Sequence, residues 1–133
     1  VIAQDIFPDF LKRAKEKAAG ENLSNVQFVL GNDKQTKLPE AAADLILVLD
    51  VYHHFDYPAR MLADLKKALK PDGRLAIVDY HKNKESMSNG RALKHIRLTD
   101  KEAVKEVESN GWKLVSKSEH IPRVQWLGIF RKG

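Results

Sequence analysis

Short apolar runs alternate with stretches whose apolar residues recur every three or four positions, beginning at the first residue. Val1-Ile2-Ala3 leads into Gln4-Asp5 as a strand. Pro8 then opens a segment with Phe10, Leu11, Ala14 and Ala18 at helical spacing, and Gly20 is its stop. Proline suits a first helical turn, where its missing N–H costs no hydrogen bond. Val26 to Leu30 is a second strand, closed by Gly31-Asn32-Asp33. The run from Asp44 to Asp50 is apolar between two acids, the pattern of a parallel strand covered on both faces.

A second helix is predicted from about Pro58 to Leu69, with Met61, Leu62, Leu65, Ala68 and Leu69 on one stripe. Pro71-Asp72-Gly73 turns the chain into a strand from Arg74 to Asp79. Residues 81–97 are polar and read as a loop with at most a short helix. Thr99 and Glu102 fit a capping box, in which the hydroxyl and the carboxylate each accept the other residue's backbone N–H. Asn110-Gly111 ends that helix. Trp112 to Ser118 and Val124 to Phe130, around Ile121-Pro122-Arg123, read as an antiparallel hairpin.

Strands alternating with helices imply an α/β domain, Rossmann-like, with a mostly parallel sheet, helices on both faces and a C-terminal antiparallel hairpin. Ligands of such sheets bind beyond the carboxyl ends of the strands. The residues of interest are therefore Asp5-Ile6, Asn32-Asp33, Asp50 to His54 and Asp79 to His81.

Composition narrows the function. A chain of 133 residues, 43% hydrophobic, suits one domain and buries roughly two-thirds of its unfolded surface without a disulfide. The lack of cysteine excludes thiol catalysis and cysteine-ligated zinc, and fits a cytoplasmic setting. The longest apolar run, Leu45 to Leu49, is too short for a membrane span. The net charge of +5 is spread along the chain, so a solvated basic face is favoured over a nucleic-acid surface.

An acid at a strand end, such as Asp5, can accept both hydroxyls of a ribose, with Ile6 offering an apolar face to a base; Asp5 can equally cap the helix entered at Pro8. Asn32 or Asp33 can meet an adenine edge, although Gly-Asn-Asp is also an ordinary turn. His53 and His54 follow a strand and cannot both face the core. Each can serve as general base, orienting donor or metal ligand; equally, the pair can be structural, one ring hydrogen-bonded to a neighbouring loop and the other solvated. Metal is the least favoured role, because no third ligand stands at a suitable spacing. His81, His95 and His120 stand alone and read as surface residues.

Taken together, these segments resemble the class I S-adenosylmethionine-dependent methyltransferases. Val1 to Pro8 looks like the family's second strand with its ribose-binding acid. Val29 to Asp33 with Leu38-Pro39 resembles the adenine-side loop, and Asp44 to Phe55 the fourth strand and the segment after it. Leu69 to Leu75 is similar to the turn into strand five. The family's first strand and its Gly-rich loop would precede residue 1. The expectation is thus a single truncated domain over 1–133 whose uncovered sheet edge invites a homodimer.

The resemblance implies methyl transfer from S-adenosylmethionine to a small-molecule acceptor that remains unassigned. Asp5 and Ile6 would hold the adenosine, Asn32 or Asp33 the adenine edge, and the Asp50 region would line the donor's amino-acid end. His54 or His53 would be the base, with Tyr52 shaping the pocket. The scheme requires no metal and involves no membrane. Two non-enzymatic readings stand beside it: a domain acting through self-association or partner binding, and a basic nucleic-acid-binding module.

Overall fold

The computed structural model describes residues 1–133. Its elements are β1 (Ile2–Asp5), α1 (Pro8–Gly20), β2 (Gln27–Leu30), β3 (Ala43–Leu49), α2 (Pro58–Ala68), β4 (Leu69–Tyr80), α3 (Ala92–His95), α4 (Asp100–Ser109), β5 (Trp112–Ile121) and β6 (Gln125–Lys132). One-turn 3₁₀ segments occupy Tyr52–His54 and Ser88–Gly90. β1 pairs with β2 and β3 with β4, both parallel; β6 lies antiparallel to β4 and to β5. The fold is the expected α/β one, with its closing antiparallel hairpin.

The core sits against one face of the four-stranded sheet, ordered β3-β4-β6-β5. Ile46 and Val48 of β3, Leu75 and Ile77 of β4 and Trp126 and Phe130 of β6 meet Leu62 and Leu65 of α2 and Val104 and Val107 of α4. The alternation of these strand positions follows from the two-residue repeat of a pleated strand. Leu62 is fully buried, a burial that contributes about 1.5–3 kcal/mol. The capping box at α4 forms as expected: Glu102 N–H donates to Thr99 Oγ1 at 3.2 Å, and Thr99 N–H donates to Glu102 Oε1 at 3.0 Å.

Two expectations are corrected. The 44–50 run is not covered on both faces: Leu45, Leu47 and Leu49 are exposed while Ile46 and Val48 are buried. β3 has a neighbour only in β4, and β1 only in β2. Between the two sheets lies a cleft of about 710 Å³, lined among others by Val1, Ala3, Leu45 and Leu47. Leu45 and Leu47 face this cleft, not a packed layer. The second correction concerns Pro71-Asp72-Gly73, which lies within β4 as an irregularity. Ala43 pairs with Leu69 and Leu45 with Arg74, five steps along β4 against two along β3. The extra residues loop out, as an isolated turn would, and pairing resumes on both sides.

α1 packs on β1 and β2. Cross-ties join this unit to the rest. Thr36 N–H donates to Asp64 Oδ2 of α2 at 2.7 Å, and Gln4 Nε2 donates to Thr36 O at 3.1 Å. Gly31 is needed where these segments meet, because a Cβ there would lie 2.3 Å from Gln4 Nε2 and 2.6 Å from two backbone oxygens. No helix is long and apolar enough to cross a membrane.

Candidate functional site

β1 delivers Asp5 to the first strand end. Its Oδ1 accepts the N–H groups of Ile6 at 2.7 Å and Phe7 at 3.0 Å, stabilising the bend into α1. The cap residue of α1 is Phe7, so Asp5 supports the helix entry from two residues ahead. Its Oδ2 receives no hydrogen bond from the chain, and Ile6 beside it is partly exposed. The two uses considered for Asp5 therefore fall on different oxygens.

Asn32 closes its own turn. Its Oδ1 accepts from Lys34 N–H and Gln35 N–H, both at 2.9 Å, which leaves the side-chain NH₂ outward. Asp33 next to it is exposed. At the end of β3, Asp50 adopts a positive φ of 56°, a left-handed conformation that Asp tolerates better than most residues. Gln125 Nε2 donates to its Oδ1. Burial and the neighbouring Asp79 charge raise the Asp50 carboxyl above its ordinary range, against the opposing Gln125 bond and the fields of His53 and His120.

The 3₁₀ turn after β3 separates three roles. Tyr52 is buried, and its hydroxyl donates to Glu106 Oε1 at 2.6 Å. Arg97 holds the same carboxylate with two bonds, of 2.7 and 2.9 Å. Burial, followed by Glu106, pushes the Tyr52 phenol well above its usual range. Tyr52 thus anchors the turn from the core and does not shape an open pocket, as had been expected. His53 lies against Asp79 of β4, with Nδ1 2.7 Å from Oδ1, and its backbone N–H donates to Oδ2 at 2.8 Å. Tyr80 N–H adds a third bond to Asp79, to Oδ1 at 2.8 Å. Asp79 is 2% exposed, so its bonds are made almost out of water.

His54 points outward, with its ring centroid 4.0 Å from that of His53. The third ring is His95, at the C-terminal end of α3, 5.0 Å from His53 and 5.3 Å from His54 by centroid. Ala92 and Ile96, both buried, anchor α3 and set His95 beside the pair. Burial lowers the His54 pKa, as do the neighbouring His53 and His95. His95, read from sequence as a lone surface residue, and Asp79, noted only for its place at a strand end, are thus brought to the histidine pair by the tertiary structure. The separation of 41 and 42 positions between His95 and the pair left no local spacing by which to find it.

These groups define a Rossmann-like α/β domain with its polar and titratable side chains gathered at strand ends. Residues 1–77, more than half of the chain, match the family described as "Methyltransferase domain", and the chain belongs to that family. An uncharacterized methyltransferase of Bacillus subtilis, YcgJ, is 23% identical over 121 residues, which are 90% of this chain and 47% of that protein. The chain thus spans about half of that relative's length. Among solved structures, a SAM-dependent methyltransferase from Aquifex aeolicus superposes with a TM-score of 0.87 at 22% identity, covering 98% of this chain and 67% of that one. The [4+2]-cyclase SpnF superposes at 0.83 with 14% identity, covering 98% and 66%. These likenesses establish a methyltransferase-like fold, and the cyclase illustrates that such a fold alone does not fix the reaction.

Proposed function

We propose that this domain binds S-adenosylmethionine and serves methyl transfer to a small-molecule acceptor. The observation that carries the reading is Asp5: a carboxylate at the end of β1 with one oxygen fixed by the backbone and the other open, beside the exposed side chain of Ile6. A ribose diol needs such an oriented acceptor. The fixed Oδ1 means that little side-chain freedom is lost on binding. Ile6 supplies the apolar face for adenine, Asp33 an acceptor for its amino group, and the Asn32 NH₂ a donor for a ring nitrogen. Asp50, held by Gln125, lines the amino-acid end.

When bound, the cofactor supplies a methyl group already activated on a sulfonium. The protein's share is therefore alignment, exclusion of water and, for an acceptor bearing an acidic proton, removal of that proton. His54 is the base in this reading. It is the open member of the pair, and its lowered pKa keeps the ring free to accept a proton at neutral pH. His53, locked to Asp79, is a positioning residue that holds His54 from behind.

The test is calorimetric titration of the chain with S-adenosylhomocysteine, beside Asp5→Ala. The expected result is micromolar binding, weakened at least about tenfold by Asp5→Ala, a loss of about 1.4 kcal/mol or more. Absence of heat at millimolar ligand from folded protein would overturn the reading.

A further inference from the structure

We infer that His53, His54 and His95 form a binding site for a divalent transition metal of borderline softness, such as Zn²⁺ or Co²⁺. The ring nitrogens of these three residues come within 4.8 Å of one another. A tetrahedral site with metal–nitrogen bonds of about 2.0–2.1 Å needs them about 3.3 Å apart. The difference is closed by side-chain rotation, and the rotation falls on the right residues. His54 and His95 are exposed and adjustable, whereas the His53 side chain is 5% exposed and fixed.

His53 is also oriented as a metal ligand is. Its Nδ1 is engaged by Asp79 at 2.7 Å, which leaves Nε2 as the nitrogen to offer. A carboxylate behind a ligating imidazole sets the tautomer and raises the basicity of the ring. Asp79 is itself held by two backbone N–H groups, so this support is rigid. Its negative charge, with that of Asp50 close by, favours a cation in front of the rings. Three imidazoles without cysteine suit Zn²⁺, Co²⁺ or Ni²⁺ over Mg²⁺ or Ca²⁺, which prefer oxygen.

Three protein ligands leave the metal a coordination position for an oxygen or nitrogen of a ligand, at the end of the sheet where this fold binds its ligands. Metal binding and the base role of His54 need the same imidazole lone pair. A metal-loaded chain therefore has no free base at His54, and added Zn²⁺ should oppose any transfer that depends on that base.

The experiment is titration of tag-free chain with Zn²⁺ by calorimetry and with Co²⁺ by visible absorption, with no cofactor present. The expected result is one ion per chain with roughly micromolar or tighter affinity, and visible Co²⁺ bands. His95→Ala and His54→Ala, both at exposed positions, each remove a direct ligand and weaken Zn²⁺ binding by at least about 100-fold, the upper end of the loss for an outer partner. His120→Ala, outside the cluster, leaves it unchanged. No saturable binding of Zn²⁺ up to about 1 mM, or binding that survives both His54→Ala and His95→Ala, would overturn the inference. S-adenosylhomocysteine binding is read on separate samples, so loss of the metal site and loss of the methyl-transfer reading are distinguishable.

Discussion

Asp79 is where the stability of the domain and the order of its candidate site meet, and removing it is a quantitative test of both. Its carboxylate accepts three N–H groups, from the His53 backbone, the His53 ring and the Tyr80 backbone. In Asp79→Ala all three lose their acceptor in a region where Asp79 is only 2% exposed. An unsatisfied buried donor costs about 1–3 kcal/mol. Partial access of water through the exposed His54 and His95 side lowers the sum to about 3–5 kcal/mol, the range for breaking a buried polar pair from one side.

Asp79→Asn is the sharper variant. If the amide oxygen takes the place of Oδ1, it keeps the His53 ring and Tyr80 bonds, and its NH₂ meets the His53 backbone N–H. If it flips, the oxygen takes the His53 N–H, the ring changes tautomer to accept from the NH₂, and Tyr80 N–H is orphaned. Either way one backbone N–H is left unpaired, a cost of about 1–3 kcal/mol. Urea denaturation reads the difference. With a slope of about 2 kcal/mol/M, the midpoint falls by about 1.5–2.5 M for Ala and by about 0.5–1.5 M for Asn. A loss below about 1 kcal/mol in Asp79→Ala would refute the view that these bonds hold the histidine turn. Equal losses in the two variants would refute the hydrogen-bond accounting.

Asp50→Asn should raise the thermal midpoint near neutral pH, because it removes a carboxylate that burial and Asp79 disfavour while an amide keeps the Gln125 contact and tolerates the positive φ; a lower midpoint by calorimetry would refute this. Acid should destabilise the domain through Glu106 and Asp100. Arg97 holds Glu106 low; for Asp100 burial is the largest single influence and acts upward, but the Lys117 bond and charge, the Lys101 backbone N–H and His81 together outweigh it and hold the carboxyl low. Carboxyls lowered on folding stabilise above their unfolded pKa of about 4 and lose that contribution as pH falls through the folded values. The decline therefore starts near pH 5 and is checked by melting curves from pH 7 to 3; Arg97→Gln, which removes Glu106's partner, should make it shallower. Amides of β1 and β2 should exchange with deuterium well before those of β4 and β6, as followed by mass spectrometry of peptides. Equal protection would mean that the first unit is as firmly held as the main sheet.

Much of the fold was legible because its signals are local. The Thr99–Glu102 box, the proline-led starts of α1 and α2 and the 3.6-residue stripe of Leu62 and Leu65 lie within a few residues of one another. Strand ends were legible for the same reason, and they placed Asp5, Asp50 and the histidine pair near the site. Less legible was whatever depends on what lies opposite. An apolar run such as Leu45 to Leu49 has the same sequence whether both faces are packed or one borders a cleft. His95 gave no sign of its partners, because α3 is held by Ala92 and Ile96, which look like any two small or apolar positions in a polar loop. Tyr52 was expected at the pocket from the family resemblance alone, and only the distant Glu106 and Arg97 draw it into the core.

The two halves of the candidate site rest on unequal foundations. Between residues 1 and 30 only Ala18 is buried, so the adenosine-side groups Asp5 and Ile6 stand on a two-stranded unit with little core of its own. Such a pair is marginal by itself. It is held by α1 and by the Gln4–Thr36–Asp64 chain, which ties β1 to α2. The histidine side has the opposite character: Tyr52 is fastened to α4, and Asp79, near the end of β4, is buried and paired with Trp126 of β6. A ligand touching both halves would therefore order the first more than the second. Part of its binding energy is spent on fixing β1 and β2, and substitutions at Gln4, Thr36 or Asp64, which tie this unit to α2, weaken binding through that cost.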